Sequence, residues 1–146
     1  MKNILIVIFS FLMLSSCSKK SDDCAATDPK EPAFNIRIMD AEGNSLIGED
    51  KIYKPSEIKL SRGSQTIFLI FEDANDGETY IRLYYPEMES EKDYQLKLNE
   101  QEIDILNLKL KNIEGECFDF LSVEAFYVNG IEIQLDNDSY SYIIQK

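Results

Sequence analysis

The 146-residue chain contains no histidine and no tryptophan. Lack of histidine removes the usual general base near neutral pH, the usual activator of a serine or cysteine nucleophile, and the commonest zinc ligand. With no such base, Cys117 reads as a structural thiol and not as a nucleophile. Basic residues are scarce, 15 Lys and Arg against 27 Asp and Glu, for a net charge of −12. That balance repels phosphate, which argues against nucleic acid as a partner, and argues equally against a peripheral hold on anionic lipid. Its plain meaning is solubility and avoidance of self-association. Without tryptophan, sugar stacking falls to the eight tyrosines.

The many carboxylates do not by themselves make a site. Glycoside hydrolysis needs two of them across a cleft, and a small β domain offers little room for one. Glu72 to Glu78, EDANDGE, has the look of a calcium loop. Placing Gly77 sixth puts Ala74 third and Leu83 twelfth, so two required oxygens are missing. Asp136-Asn137-Asp138 is also short of ligands. Both stretches read as turns, where Asp, Asn and Gly suit the backbone. The expectation is no enzyme, no metal and no cofactor.

One long apolar run is present, and it lies at the N-terminus. Met1-Lys2-Asn3 precedes Ile4 to Leu14, then Ser15-Ser16 and Cys17. The run has the length of a signal-peptide core and falls short of the roughly 20 residues of a spanning helix. Small residues before Cys17 suit a signal peptidase, and its thiol can accept a diacylglyceryl group. Residues 18–32 hold no large apolar side chain and include Pro29 and Pro32, as a flexible tether would. The expected division is a signal peptide over 1–16, a lipidated cysteine and tether over 17–32, and one domain over 33–146.

Leu14-Ser15-Ser16-Cys17 resembles the lipobox of bacterial lipoproteins, in which cleavage falls just before the cysteine. The following SKKSDD, with Ser21, Asp22 and Asp23, resembles the export signal of surface lipoproteins in Bacteroidetes-type bacteria. It differs from that signal in having Lys19-Lys20 before the acids. The resemblance implies an outer-membrane protein held by a lipid on Cys17 and facing the cell surface, with a periplasm-facing domain as the alternative. Each buried methylene contributes about 0.8 kcal/mol, and two acyl chains make such an anchor durable.

If Cys17 is acylated, Cys24 and Cys117 remain. Cys24 lies nine residues before Ala33, a stretch reaching about 30 Å at ~3.3 Å per residue, so the two are within reach of each other. They either pair, pinning the tether to the domain, or remain a flexible Cys24 and a buried Cys117.

From Ala33 onward, period-2 alternation dominates. Phe34, Ile36 and Ile38 share a face. Residues 57–61 and 65–73 read as a hairpin closed by Arg62-Gly63, and Ile67-Phe68-Leu69-Ile70-Phe71, apolar throughout, reads as a central strand. Thr79–Tyr85 ends at Pro86; Tyr94, Leu96 and Leu98 alternate. A phase change at Ile105-Leu106 predicts a β-bulge. Leu121, Val123, Ala125 and Tyr127 lead into Asn129-Gly130, a strong hairpin signal. Ile131, Ile133 and Leu135 return, and 140–144 form a last strand.

Eight or nine short strands without a helix predict an all-β fold, an antiparallel β-sandwich. NIRIMDAEGNSLIG and EAFYVNGIEI give the domain a likeness to the small immunoglobulin-like or transthyretin-like domains of uncharacterised Bacteroidetes-type lipoproteins. That likeness implies a fold and a location and no activity. In Thr79-Tyr80-Ile81-Arg82-Leu83-Tyr84, residues Tyr80, Arg82 and Tyr84 share one face. Tyr and Arg are favoured at binding hot spots, so this stripe is the candidate surface for a protein or glycan partner; ordinary cross-strand packing is the alternative. The function expected is a non-catalytic binding or structural module of the cell envelope, or alternatively a glycan-binding accessory of surface polysaccharide uptake.

Overall fold

The computed structural model describes residues 31–74 and 77–146. Among these described residues eleven strands form: β1 (Ala33–Met39), β2 (Lys59–Arg62), β3 (Gln65–Ile67), β4 (Leu69–Asp73), β5 (Thr79–Tyr84), β6 (Asp93–Lys97), β7 (Ile103–Ile113), β8 (Phe120–Val128), β9 (Ile131–Ile133), β10 (Leu135–Asp136) and β11 (Ser141–Gln145). They make two sheets, ordered β10-β11-β1-β5-β4 and β3-β2-β6-β7-β8-β9. The fold is an all-β sandwich, and no helix occurs among the described residues. Pairing is antiparallel except between β1 and β11, which run parallel with Ile36 beside Tyr142.

Alternation drives the layering. Ile36 and Ile38 from β1, Ile81 and Leu83 from β5, Leu96 from β6 and Leu106 and Leu108 from β7 are all buried in one core between the sheets. Each such side chain contributes about 1.5–3 kcal/mol on leaving water. The Asn129-Gly130 turn has both residues at positive φ, +53° and +80°. Only a primed turn of that kind matches the twist of the flanking strands, which explains Asn-Gly there.

Three expectations change. The run Ile67–Phe71 is not a central strand. The chain breaks at Phe68 and switches sheets: β3 is an edge of one sheet and β4 an edge of the other. Apolarity on both faces arises because Ile67 points into the core while Phe68 and Ile70 stay exposed.

The bulge is not at Ile105-Leu106. Asp104, Leu106, Leu108 and Leu110 keep one inward phase along β7, with Asp104 buried. The irregularity lies where Lys109 pairs Ala125 but Leu110 pairs Val123, so Glu124 of β8 is the extra residue. Glu124 turns outward to an ion pair with Lys109 at 3.0 Å. Before it Leu121 and Val123 pack on the core; after it Phe126 and Val128 do. Finally, the return after Gly130 is two strands, because Gln134 separates β9 from β10 on the opposite sheet.

Candidate functional site

Tyr80, Arg82 and Tyr84 do share the outer face of β5, opposite buried Ile81 and Leu83. Cross-strand neighbours occupy two of the three. The Tyr80 hydroxyl donates to Glu72 Oε2 at 2.6 Å across the β4–β5 pair. That bond, followed by burial, raises the Tyr80 pKa above its ordinary value. Arg82 donates to Glu31 and lies 3.8 Å from Glu72. The Arg37 guanidinium sits 6.0 Å over the Tyr80 ring and bonds Glu78 at 2.9 Å. The stripe is therefore a lattice of opposite charges and rings, and only Tyr84 stands substantially exposed.

A cleft of about 370 Å³ opens at the end of the sandwich where β1 and β11 begin and β5 ends. Phe34, Arg82, Tyr85, Ser122, Tyr140 and Tyr142 line it. Rings form part of its lining and pack onward into the core: Phe34 lies 5.0 Å from Tyr142 edge-on and 5.7 Å from Tyr85, and Phe126 lies 4.8 Å from Tyr142. The Tyr85 hydroxyl donates to the Leu121 carbonyl at 3.0 Å, which ties the two sheets together beside the cleft. Burial raises the pKa of both Tyr85 and Tyr142 above the ordinary tyrosine value.

Tyr140 is the feature sequence reasoning missed. It adopts φ +49° and leaves its ring 74 % exposed at the cleft. A bulky residue in the left-handed region costs of order 1–2 kcal/mol, and such strain clusters where a side chain must be presented to a ligand. The turn before it is built by Asp136, whose Oδ2 accepts from the Ser139 amide at 2.9 Å. The bond from the Ser139 hydroxyl and then this amide bond hold the Asp136 carboxyl below its usual range.

The opposite end of the sandwich is closed by charge. Asp104, 2 % exposed, receives Lys146 Nζ at 2.8 Å on Oδ1, where Asn129 Nδ2 also donates at 2.8 Å. Lys146 Nζ lies 2.7 Å from Oδ2 as well, a charge contact without hydrogen-bond geometry. Lys146 also reaches Glu102 at 2.7 Å, and the Tyr53 hydroxyl donates to Glu102 at 2.6 Å. Burial pulls the Lys146 pKa down, but the bonds to Asp104 and Glu102 outweigh it and leave it raised. Lys146 and then Tyr53 hold Glu102 below its ordinary value. Asp104 Oδ1, Lys146, Glu102, Tyr53 and Asn129 bond one another, with Asp104 Oδ2 left to its charge contact with Lys146, and together they form a charged plug at this end.

Cys117 sits in the β7–β8 loop and is disulfide-bonded. Cys17, Ser21, Asp22, Asp23 and Cys24 lie outside the described residues. Gly115 of the same loop packs against the Phe118 carbonyl so closely that a Cβ would not fit. Among the described residues no helix is long and apolar enough to cross a membrane. Comparison with protein-family models, curated proteins and solved structures finds no match to this chain.

Proposed function

We propose that this chain is a lipid-anchored outer-membrane protein whose β-sandwich acts as a non-catalytic binding or structural module of the cell envelope. The observation that carries the reading is the order of features in residues 1–17: a basic end, an apolar core, two serines and Cys17. Cys17 anchors the chain, residues 18–32 hold the domain off the bilayer, and Ser21-Asp22-Asp23 direct it to the outer leaflet. Cys24 is the partner of Cys117, which staples the tether to the loop between β7 and β8. Protease added to intact cells digests the domain under this reading, and Cys17→Ala releases it from the membrane fraction. Protection until the outer membrane is opened would instead make the domain periplasm-facing and move envelope assembly to first place.

The cleft favours a second reading, a glycan-binding module. Its combination of the Tyr140 and Tyr142 side chains with polar groups from Asn35, Arg82 and Ser122 suits a ligand that has an apolar face and hydroxyls at its rim. Tyr140 takes over here the role expected of Tyr80, Arg82 and Tyr84, the first two of which are engaged within the sheet. Tyr140→Ala abolishes oligosaccharide binding with the fold intact if this holds. No binding of oligosaccharides by the native chain at millimolar concentration retires it.

A further inference from the structure

A second hollow, of about 260 Å³, opens where β2 begins and β6 ends. Ser56, Glu57, Lys59, Lys97, Asn99 and Glu100 line it. Lys59 and Lys97 are directly opposite in the antiparallel β2–β6 pair, which sets their Cβ atoms about 5 Å apart. Like charges so placed destabilise a sheet. Lys97 is half-buried, yet among the described residues neither ammonium has an ion-pair partner. The chain has 27 acids, and two of them, Glu57 and Glu100, line the same hollow without pairing either. The sandwich holds a repulsion here that its own carboxylates leave unanswered.

The four charges are sorted in space. Both lysines stand on the paired strands, whereas Glu57 precedes β2 and Glu100 follows β6, so the carboxylates lie toward the same loop end. Both loops are braced. The Glu57 amide donates to the Lys54 carbonyl at 2.9 Å, and the Leu98 amide to the Glu102 carbonyl at 2.9 Å. Asn99 Oδ1 accepts from the amides of Gln101 and Glu102 at 2.8 and 2.9 Å, which leaves its Nδ2 to donate into the hollow.

We propose that this hollow binds an aminoalkyl phosphate, its phosphate between Lys59 and Lys97 and its ammonium between Glu57 and Glu100. A phosphate group brings three strong acceptor oxygens and up to two negative charges. That matches two ammonium groups, the Ser56 hydroxyl and Asn99 Nδ2 better than a carboxylate does. A simple anion would meet repulsion from Glu57 and Glu100 and from the net charge of −12. The ligand's ammonium removes both objections, because it offsets the phosphate charge and gives the two glutamates a partner. One ligand thus answers all four charges. The same group occurs on small soluble molecules and on lipid headgroups, and the chemistry recognised is common to both.

The test is a calorimetric titration of the full chain in detergent with glycerophosphoethanolamine, against methyl phosphate and ethylammonium as its separate halves. The zwitterion binds more tightly than either half by about tenfold or more, and Lys97→Gln and Glu100→Gln each weaken it by a similar factor. Without ligand, Lys97→Gln unfolds at a higher temperature than the native chain, because the cross-strand repulsion is gone. Dihexanoyl phosphatidylethanolamine, with its phosphatidylcholine analogue as blank, separates the two sources. Affinity equal to that of the glycerol compound marks a soluble ligand, and affinity about tenfold tighter marks a lipid headgroup. Methyl phosphate bound as tightly as the zwitterion, binding unmoved by Lys97→Gln, a Lys97→Gln chain less stable than the native one, or no binding at millimolar concentration overturns the proposal.

Discussion

The two ends of the sandwich solve opposite problems with the same strands. Where β1 and β11 finish, Asp104, Lys146, Glu102, Tyr53 and Asn129 bond one another in a charged cluster. Where β1 and β11 begin, Phe34, Tyr85 and Tyr142 line a cleft with a strained, exposed Tyr140 at its side. A closed end that spends charge on burial and an open end that spends strain on exposure point to a division of labour. The first end holds the fold, and the second is where a ligand would meet it under the glycan-binding reading proposed above.

Removing Lys146 is the strongest way to break that contrast. Lys146→Met leaves Asp104 buried beside a single amide, and breaking a buried pair from one side costs roughly 3–5 kcal/mol. Urea unfolding should show the midpoint falling with an unchanged slope. The pH profile sharpens the assignment. Glu102 has a lowered pKa, so its contribution is fully present above the unfolded value near 4.5 and is lost as pH falls through the folded value. Lys146 has a raised pKa, so its contribution holds below the unfolded value near 10.5 and is lost as pH climbs through the folded one. Native protein therefore weakens on both flanks of a broad plateau, and Lys146→Met flattens the alkaline flank and reduces the acid one. A variant whose stability follows the native pH profile would show that the plug is decorative.

The open end should respond in the other direction. Tyr140→Gly relieves the left-handed backbone, where glycine has no Cβ penalty, and raises stability by about 1 kcal/mol or somewhat less after glycine's extra unfolded-state entropy. The same substitution removes the exposed ring from the cleft. A more stable protein that has lost its ligand is the expected outcome, measured by thermal unfolding alongside binding. A destabilised Tyr140→Gly would mean that the ring packs for the fold and is not there for a ligand.

Legibility in the sequence followed the range of the forces involved. The sandwich, the Asn129-Gly130 hairpin and the inward faces of β1 and β6 were readable because alternation and turn chemistry are local. Asp104 was not, since a charged residue inside a strand breaks the apolar pattern and its partners Asn129 and Lys146 are 25 and 42 residues away. The bulge expected at Ile105-Leu106 has the same origin, because apolar Ile105 and Leu106 adjoin while the residue that continues the inward phase of β7 is the charged Asp104. Edge and centre were confused at Ile67–Phe71 because both give a continuous apolar run, and only the pairing order separates them. On the site, Tyr80, Arg82 and Tyr84 share one face as expected, and the alternative of cross-strand packing holds for Tyr80 and Arg82, although their particular partners Glu31 and Glu72 were not foreseen. Nothing local marks Tyr140 for positive φ, and the cleft is assembled from β1, β5, β8 and β11.

The outer face of β5 gives the smallest effect and the sharpest control. Arg82 bonds Glu31 and approaches Glu72 at a half-exposed site, where double-mutant measurements of such pairs give about 0.2–1 kcal/mol. Arg82→Met keeps the alkyl stem and removes the charge, so unfolding should shift by less than about 1 kcal/mol, and less still at high salt. Because Arg82 also lines the cleft, the two readings of this residue separate cleanly. Loss of ligand with nearly native stability places Arg82 in the binding end. A stability loss as large as that of Lys146→Met would mean the lattice of Arg37, Tyr80, Glu72 and Arg82 is a second plug, and the contrast between the two ends would have to be redrawn as one between core and cleft.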